Sequence, residues 1–169
     1  MNPNLFFFII IPFIFMAIIS IGMPFYRLKI MNEAGEKKLS FIRSGKMITI
    51  ITYVIAYLLF VLSIMFNFGR LNFIIPYCAV IGLYVATKDG TFRPVNGAYE
   101  NLMIIGTDIV RYDDIISLPV EELPPEERAN HPDNVLVVVT RKHGKRQLTL
   151  SNANELAELL VILKEKMNG

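Results

Sequence analysis

Residues 5–26 read LFFFIIIPFIFMAIISIGMPFY, a run of 22 residues without Asp, Glu, Lys, Arg or His. At 1.5 Å per residue, a helix of this length is about 33 Å long, enough to cross a hydrocarbon core of about 30 Å. Because lipid offers no hydrogen bonds, the backbone of such a segment must be helical. No basic residue precedes the run and no small-residue cleavage site follows it, so we expect a retained helix rather than a secretory signal.

Two more uncharged stretches follow, at 47–69 and 71–87. The first of them is as long as residues 5–26, whereas the second would be about 26 Å long as a helix, close to the lower limit for crossing a membrane. The sequence therefore predicts three transmembrane helices in a region that covers residues 1–87. A re-entrant segment bent at Pro76 is the alternative for the third stretch.

The charges that flank these stretches predict their orientation. The loop 27–46 holds six basic and two acidic residues, whereas the connection 67–70 holds one basic residue. Because Lys and Arg resist translocation, the loop is expected in the cytoplasm, with the amino terminus outside. Since the chain is predicted to cross the cell membrane three times, residues 88–169 are expected to form a cytoplasmic domain. The basic residues of the loop are Arg27, Lys29, Lys37, Lys38, Arg43 and Lys46.

Composition excludes several classes of protein. The chain has 169 residues, of which 53% are hydrophobic and 19% are charged, so it is not a disordered chain. A single cysteine excludes an intramolecular disulfide. Residues 88–169 hold ten basic and thirteen acidic residues, a net charge of −3. The overall charge of +2 therefore comes from the loop, and no nucleic-acid partner is predicted.

Short apolar runs separated by turn residues predict strands in the cytoplasmic domain. The β-branched run VLVVVT at 135–140 is typical of a buried strand. A further short strand around Phe92 would follow the exit from the membrane, and 121–133, with three prolines, predicts an exposed loop. The predicted strands are 102–105, 109–112, 115–120, 135–140 and 147–150.

The last element of the sequence is predicted to be an amphipathic helix. Asn152 can cap it, with Glu155 three residues on in the position of a capping box. Its apolar residues recur at helical spacing and would pack against the sheet. Five or six antiparallel strands and one helix make an α+β domain. The apolar stripe consists of Leu156, Leu159, Leu160, Leu163 and Met167.

The order GTDIVRYDDIISL, loop, NVLVVVTRKHGKRQLTL, helix resembles the bacterial pleckstrin-homology-like (PH-like) domains of small multi-span membrane proteins. The resemblance covers residues 99–167 and is carried by Asp108, Ile109, Tyr112, Asp114 and Ile115. It implies an antiparallel sheet or barrel capped by the C-terminal helix, and a role in protein association rather than a shared lipid-binding signature. A full barrel of this family has seven strands, so a partial barrel or a different sheet remains open.

Two basic clusters are the candidate binding sites. Near an anionic leaflet each Lys or Arg contributes about 1 kcal/mol, so anionic lipid headgroups or an acidic partner are the expected ligands. The alternative for the loop is that its charges only set the membrane topology. The alternative for the second cluster is a solvated turn. The first cluster comprises Lys37, Lys38, Arg43 and Lys46, and the second, at a hairpin tip, comprises Arg141, Lys142, Lys145 and Arg146.

Other functional signals are weak. Gly82 and Ala86 form a small-x-x-x-small pair that allows close helix packing, in a homo-oligomer or with another membrane protein. Neither a catalytic constellation nor a metal site nor a cofactor motif is predicted, and His131, His143 and Cys78 have no partner at ligand spacing. We therefore expect a non-enzymatic membrane protein that presents an interaction module. The alternative is an accessory subunit of a larger transporter or secretion complex.

Overall fold

The structure, a computed structural model, describes residues 6–42, 46–66, 71, 74–122 and 132–168. Its residues fall into two compact units. The first unit takes the described residues within 1–29 and 44–91, and the second takes those within 30–43 and 92–169. Helices and antiparallel sheets together make an α+β protein, as the sequence predicts.

The first unit is helical throughout its described residues. A π-helical turn at Phe6–Ile10 leads into α1 (Ile11–Ala34), which is followed by α2 (Lys46–Met65) and α3 (Ile75–Phe92). These runs of Phe, Ile, Leu and Val satisfy their backbone groups internally. Small and medium-sized side chains fill the space between the helices, where the buried residues are Met16, Ala56, Phe60, Ala79 and Leu83.

Two helices, not three, are long and apolar enough to cross a membrane within the described residues. They are Phe7–Ala34 and Met47–Met65. The third predicted span fails because α3 begins only at Ile75 and carries Lys88 and Asp89 in its last turns. Its uncharged part, 75–87, is about 20 Å long, short of a hydrocarbon core. The strand predicted around Phe92 is also wrong, since this residue ends α3.

Seven strands form two antiparallel sheets in the second unit. The first sheet has the order β1-β2-β3-β4 and the second has the order β5-β6-β7. A short helix, α4 (Pro119–Glu122), ends the predicted strand 115–120 early. The strands are β1 (Lys37–Ser40), β2 (Gly97–Tyr99), β3 (Leu102–Ile105), β4 (Asp108–Arg111), β5 (Ile115–Ser117), β6 (Val135–Thr140) and β7 (Gly144–Thr149).

Strand β1 lies in the loop between α1 and α2, where no strand is predicted. It pairs with β2, with Leu39 opposite Ala98 and Ser40 opposite Gly97. Gly97 has φ +156°, and a Cβ there would lie 2.2 Å from the carbonyl oxygen of Leu39. Only glycine lets the two strands approach this closely. The predicted boundary after residue 87 leaves the loop with the helices, whereas here residues 30–43 belong to the second unit.

The two sheets join at two corners and enclose one core. At the first corner, Ile42 N–H donates to the Thr149 carbonyl (3.0 Å) just beyond β1. At the second, a 3₁₀ turn at Tyr112–Asp114 connects β4 to β5, and Arg141 N–H donates to the Asp114 carbonyl (2.7 Å). The core side chains from the sheets include Leu39, Ala98, Met103, Val110, Leu136, Val138 and Leu148.

The C-terminal helix α5 (Ala153–Asn168) covers this core, as predicted. Asn152 Oδ1 accepts the Glu155 N–H (2.8 Å), which confirms the predicted cap. The Glu155 carboxylate accepts the N–H of Ser151 (3.1 Å), one residue before the cap. Leu159 and Leu163 are fully buried, whereas Met167, at the end of the stripe, is exposed.

The two central strands of the first sheet, β2 and β3, are buried on both faces, which explains why β3 (LMII) does not alternate apolar and polar residues. One face of β2 and β3 contributes to the core under α5. The other face packs against the last turns of α1 and the last residue of α3. This second cluster contains Ile30, Ala34, Phe92, Tyr99, Leu102 and Ile104.

Candidate functional site

The second predicted basic cluster lies at the tip of the β6–β7 hairpin. Residues 141–143 form the turn, and Gly144 adopts the left-handed conformation (φ +65°) that closes it. Arg141, Lys142 and Lys145 are exposed, and Arg146 is half-buried. The tip therefore brings four positive charges together.

Two acidic residues from other turns contact this tip. Lys142 Nζ lies 2.9 Å from Asp114 Oδ2 in the 3₁₀ turn, and its hydrogen bond lowers the pKa of the Asp114 carboxyl. Arg146 Nε donates to Asp108 Oδ2 (2.7 Å) at the start of β4. His143 Nδ1 lies 3.7 Å from Asp108 Oδ1. The hairpin tip is thereby tied to both turns.

The ion pairs divide the predicted cluster into two kinds of residue. Lys142 and Arg146 are neutralised by Asp114 and Asp108 within the unit. Arg141 and Lys145 are exposed and form no ion pair with any residue in the described part of the chain, although Arg141 lies close enough to Asp114 to help lower the pKa of that carboxyl. They are the two charges of the tip that a ligand can use without breaking an ion pair.

The structure describes the side chains of two residues of the first predicted cluster, Lys37 and Lys38. Lys37 Nζ lies 5.7 Å from the centre of the Tyr99 ring, a cation–π distance. Lys38 Nζ lies 2.6 Å from Glu36 Oε2; the hydrogen bond lowers the pKa of Glu36 and raises that of Lys38. Arg43 lies outside the described residues, and Lys46 begins α2 with its side chain undescribed.

The predicted helix-packing residues lie on α3. A Cβ at Gly82 would be 3.4 Å from the Ala56 Cβ of α2, and Ala86 is almost fully buried. Gly82 therefore lets two helices of the same chain pack closely.

Sequence reasoning missed the acidic partners of the basic residues. Asp108 and Asp114 carry the resemblance to PH-like domains, but the sequence assigns neither of them a basic partner. Glu33, near the end of α1, pairs with Arg111 of β4, whose Nε lies 2.9 Å from Glu33 Oε1. These partners are between 28 and 78 residues apart in sequence, so no local pattern could reveal them.

No group of three or more His, Cys, Asp or Glu residues is placed to hold a metal ion within the part of the chain that the structure describes. Cys78 is exposed on α3, and His131 lies outside the described residues. Comparison of the chain with protein-family models, with curated proteins and with solved structures finds no significant match. The function must therefore be argued from the geometry above.

Proposed function

We propose that this chain is a non-enzymatic integral membrane protein that presents a PH-like interaction module at the cytoplasmic face. The observation that carries the proposal is the exposure of large apolar side chains along α1 and α2. Phe13, Ile21, Phe25, Ile48 and Val54 are each at least 60% exposed. An apolar surface of this extent is unfavourable in water and suits the lipid of a membrane.

The architecture of the second unit supports the PH-like part of the proposal. Four and three antiparallel strands, followed by a C-terminal helix, give the seven strands that the resemblance requires. Six of these strands come from the C-terminal segment, and the seventh, β1, comes from the loop between α1 and α2. The module thus comprises the described residues within 30–43 and 92–169.

Strand pairing supports one orientation for both parts of the module. Because β1 and β2 are hydrogen-bonded, the loop and the C-terminal segment must lie on the same side of any membrane. A chain that leaves this side through α2 must return before β2. The proposal assigns this return to α3, whose uncharged part, 75–87, is shorter than an average hydrocarbon core and therefore requires the bilayer to thin around it. With the basic loop in the cytoplasm, the module is cytoplasmic.

The hairpin tip is the surface that we assign to the interaction. Arg141 and Lys145 offer exposed positive charge for anionic lipid headgroups or for an acidic surface of a partner protein. Long-range attraction between such groups falls off within about 8–10 Å at physiological salt, so contact must be direct.

Charge reversal in the full chain tests this function. In membranes, the double variant Arg141→Glu/Lys145→Glu should lose the cross-links that the wild-type tip forms. In nanodiscs with anionic lipid, the tip of this variant should exchange its amide hydrogens faster than the wild-type tip. Lys164→Glu/Lys166→Glu on α5 makes the same change of charge away from the tip and should leave both readouts unchanged. Cross-links lost from the tip without any effect of anionic lipid would identify a protein partner.

Two outcomes would refute the proposal. If alkaline carbonate releases the wild-type protein from membranes, the chain is not integral. If the tip variant keeps all wild-type cross-links and exchange rates, the tip is a solvated turn.

The accessory-subunit alternative gains no support from Gly82, because that residue packs against Ala56 of the same chain.

A further inference from the structure

We propose that strand β1 makes assembly of the second unit conditional on the membrane topology of the helices. The module forms only when the loop between α1 and α2 lies on the same side as the C-terminal segment. A chain inserted with these two segments on opposite sides keeps its helices but has no module. This inference rests on the proposed membrane insertion and goes beyond it.

The loop supplies part of the core that the C-terminal segment cannot replace. Leu39 and Phe41 are buried among the side chains of both sheets and of α5. Without the loop, the core loses two large apolar side chains, and one edge of β2 loses its partner strand. Both losses oppose folding of residues 92–168 alone.

The C-terminal segment also carries groups that recognise the end of α1. Gly35 terminates this helix in the left-handed conformation (φ +77°), which leaves carbonyl groups of the last turn without helical partners. Asn101 satisfies two of them: its N–H donates to the Ala34 carbonyl (3.0 Å) and its Nδ2 donates to the Glu33 carbonyl (3.1 Å). The turn between β2 and β3 is therefore a C-cap for a helix that lies more than 60 residues earlier in the chain.

Short connections prevent β1 from reaching the other side of a membrane. Two residues separate α1 from β1, and five separate β1 from α2. Five extended residues span at most about 18 Å, less than the hydrocarbon core of about 30 Å. The side on which β1 lies is therefore fixed by the insertion of α1 and α2, before β2 can pair with it.

A pair of variants of the full chain separates topology from packing. Deleting residues 67–87 removes the return segment, so a C-terminal reporter should move to the outer face and the second unit should become sensitive to protease on that face. Replacing residues 75–87 with a Leu/Ala helix of about 20 residues restores the return. This second variant should recover cytoplasmic placement and protease resistance.

A point-variant pair tests the role of the strand without changing the spans. Leu39→Asp places a charge in the core and should make the C-terminal segment at least tenfold more sensitive to protease, with wild-type topology. Lys38→Asp, on the exposed side of the same strand, should remain within twofold of the wild type. The reporter after Gly169 should stay cytoplasmic in both variants.

Each remaining outcome has a defined meaning. A deletion variant with an external but protease-resistant second unit overturns the inference, as does a Leu39→Asp variant that is as resistant as Lys38→Asp. A replacement variant that returns to the cytoplasm but stays sensitive overturns it too, because the return alone is then insufficient. A deletion variant whose C-terminus stays cytoplasmic contradicts the proposed crossing of α2 and, with it, this inference. Release of the wild-type protein by carbonate contradicts the proposed function directly.

Discussion

The two units differ in how many large apolar side chains they expose: most of the exposed ones lie in the helical unit. In the helical unit, Ala56 and Ala79 are buried, while Phe13 and Phe25 are exposed. In the second unit, the largest fully buried side chains are leucines, a methionine, an isoleucine and a phenylalanine, and few large apolar residues are exposed. The helical unit holds the three uncharged stretches of the sequence, whereas residues 88–169 hold ten basic and thirteen acidic residues, so the difference in exposure follows the difference in composition.

The difference is the one expected if the helical unit lies in lipid, as proposed, and the second unit lies in water. Between helices in lipid there is no hydrophobic driving force, so packing depends on small residues that let the backbones approach. In water, burial of large apolar groups at about 25 cal/mol per Å² is the main stabilising term. Removing a large side chain should therefore lower the stability of the second unit most, whereas adding a large side chain between the helices should lower the stability of the helical unit.

The largest effect is expected from removing a large side chain from the core of the second unit. Leu163→Ala should lower the free energy of unfolding of the second unit by about 2–5 kcal/mol, because Leu163 is fully buried on α5. Denaturant unfolding of the full chain, followed by protease resistance of the C-terminal segment, measures the loss. Val161→Ala, on the exposed face of the same helix, should change it by less than about 0.5 kcal/mol. Equal losses in the two variants would mean that α5 does not cover the core with this face.

A smaller effect is expected from adding a large side chain to the helical unit. Gly82→Leu should destabilise the contact between α2 and α3 by about 1–3 kcal/mol, because its Cβ already meets Ala56 at 3.4 Å. Unfolding in sodium dodecyl sulfate, followed by far-UV circular dichroism, provides the measurement. Gly22→Leu is the matched control, since a Cβ at Gly22 has no neighbour within 4 Å. If both variants unfold alike, close packing at Gly82 does not stabilise the helices.

The smallest effect concerns a buried hydroxyl group in the second unit. Tyr112 donates a hydrogen bond to the Tyr99 carbonyl (2.5 Å), and burial raises the pKa of its phenol to about 12. Tyr112→Phe should cost about 1 kcal/mol at neutral pH through the lost hydrogen bond.

The pH dependence of the same variant gives a second test. An unfolded tyrosine ionises near pH 10, whereas folded Tyr112 keeps its proton to about pH 12. The unfolded state therefore loses the proton first, and Tyr112 lowers the stability of the wild type as the pH rises from about 10 to about 12. The difference between wild type and Tyr112→Phe should shrink or reverse over this range. A constant difference would mean that the phenol is hydrated in the folded state.

Local patterns in the sequence were sufficient for several elements of the second unit. The apolar runs predicted β3 at 102–105 and β6 at 135–140 with the observed bounds. Asn152 and Glu155 predicted the start of α5, because capping depends on residues only three apart. The α+β class followed from these elements.

Features that depend on distant residues could not be predicted in this way. Strand β1 has four residues, KKLS, whose lysines indicated a topological signal and a basic cluster but no strand, and the partner of Ser40 lies 57 positions later. The division of the hairpin charges depends on Asp108 and Asp114 in other turns. The third apolar stretch was overestimated because the ends of a hydrophobic run do not reveal where a helix starts.

The separation of β1 from β2 also has a consequence for biosynthesis. Ser40 leaves the ribosome 57 residues before Gly97, its partner in the sheet. At about 5–20 residues per second, about 3–11 s pass between synthesis of the loop strand and synthesis of its partner, and α2 and α3 are made in this interval. During this interval Lys37 and Lys38 keep a nascent edge soluble and discourage it from pairing with a neighbouring chain.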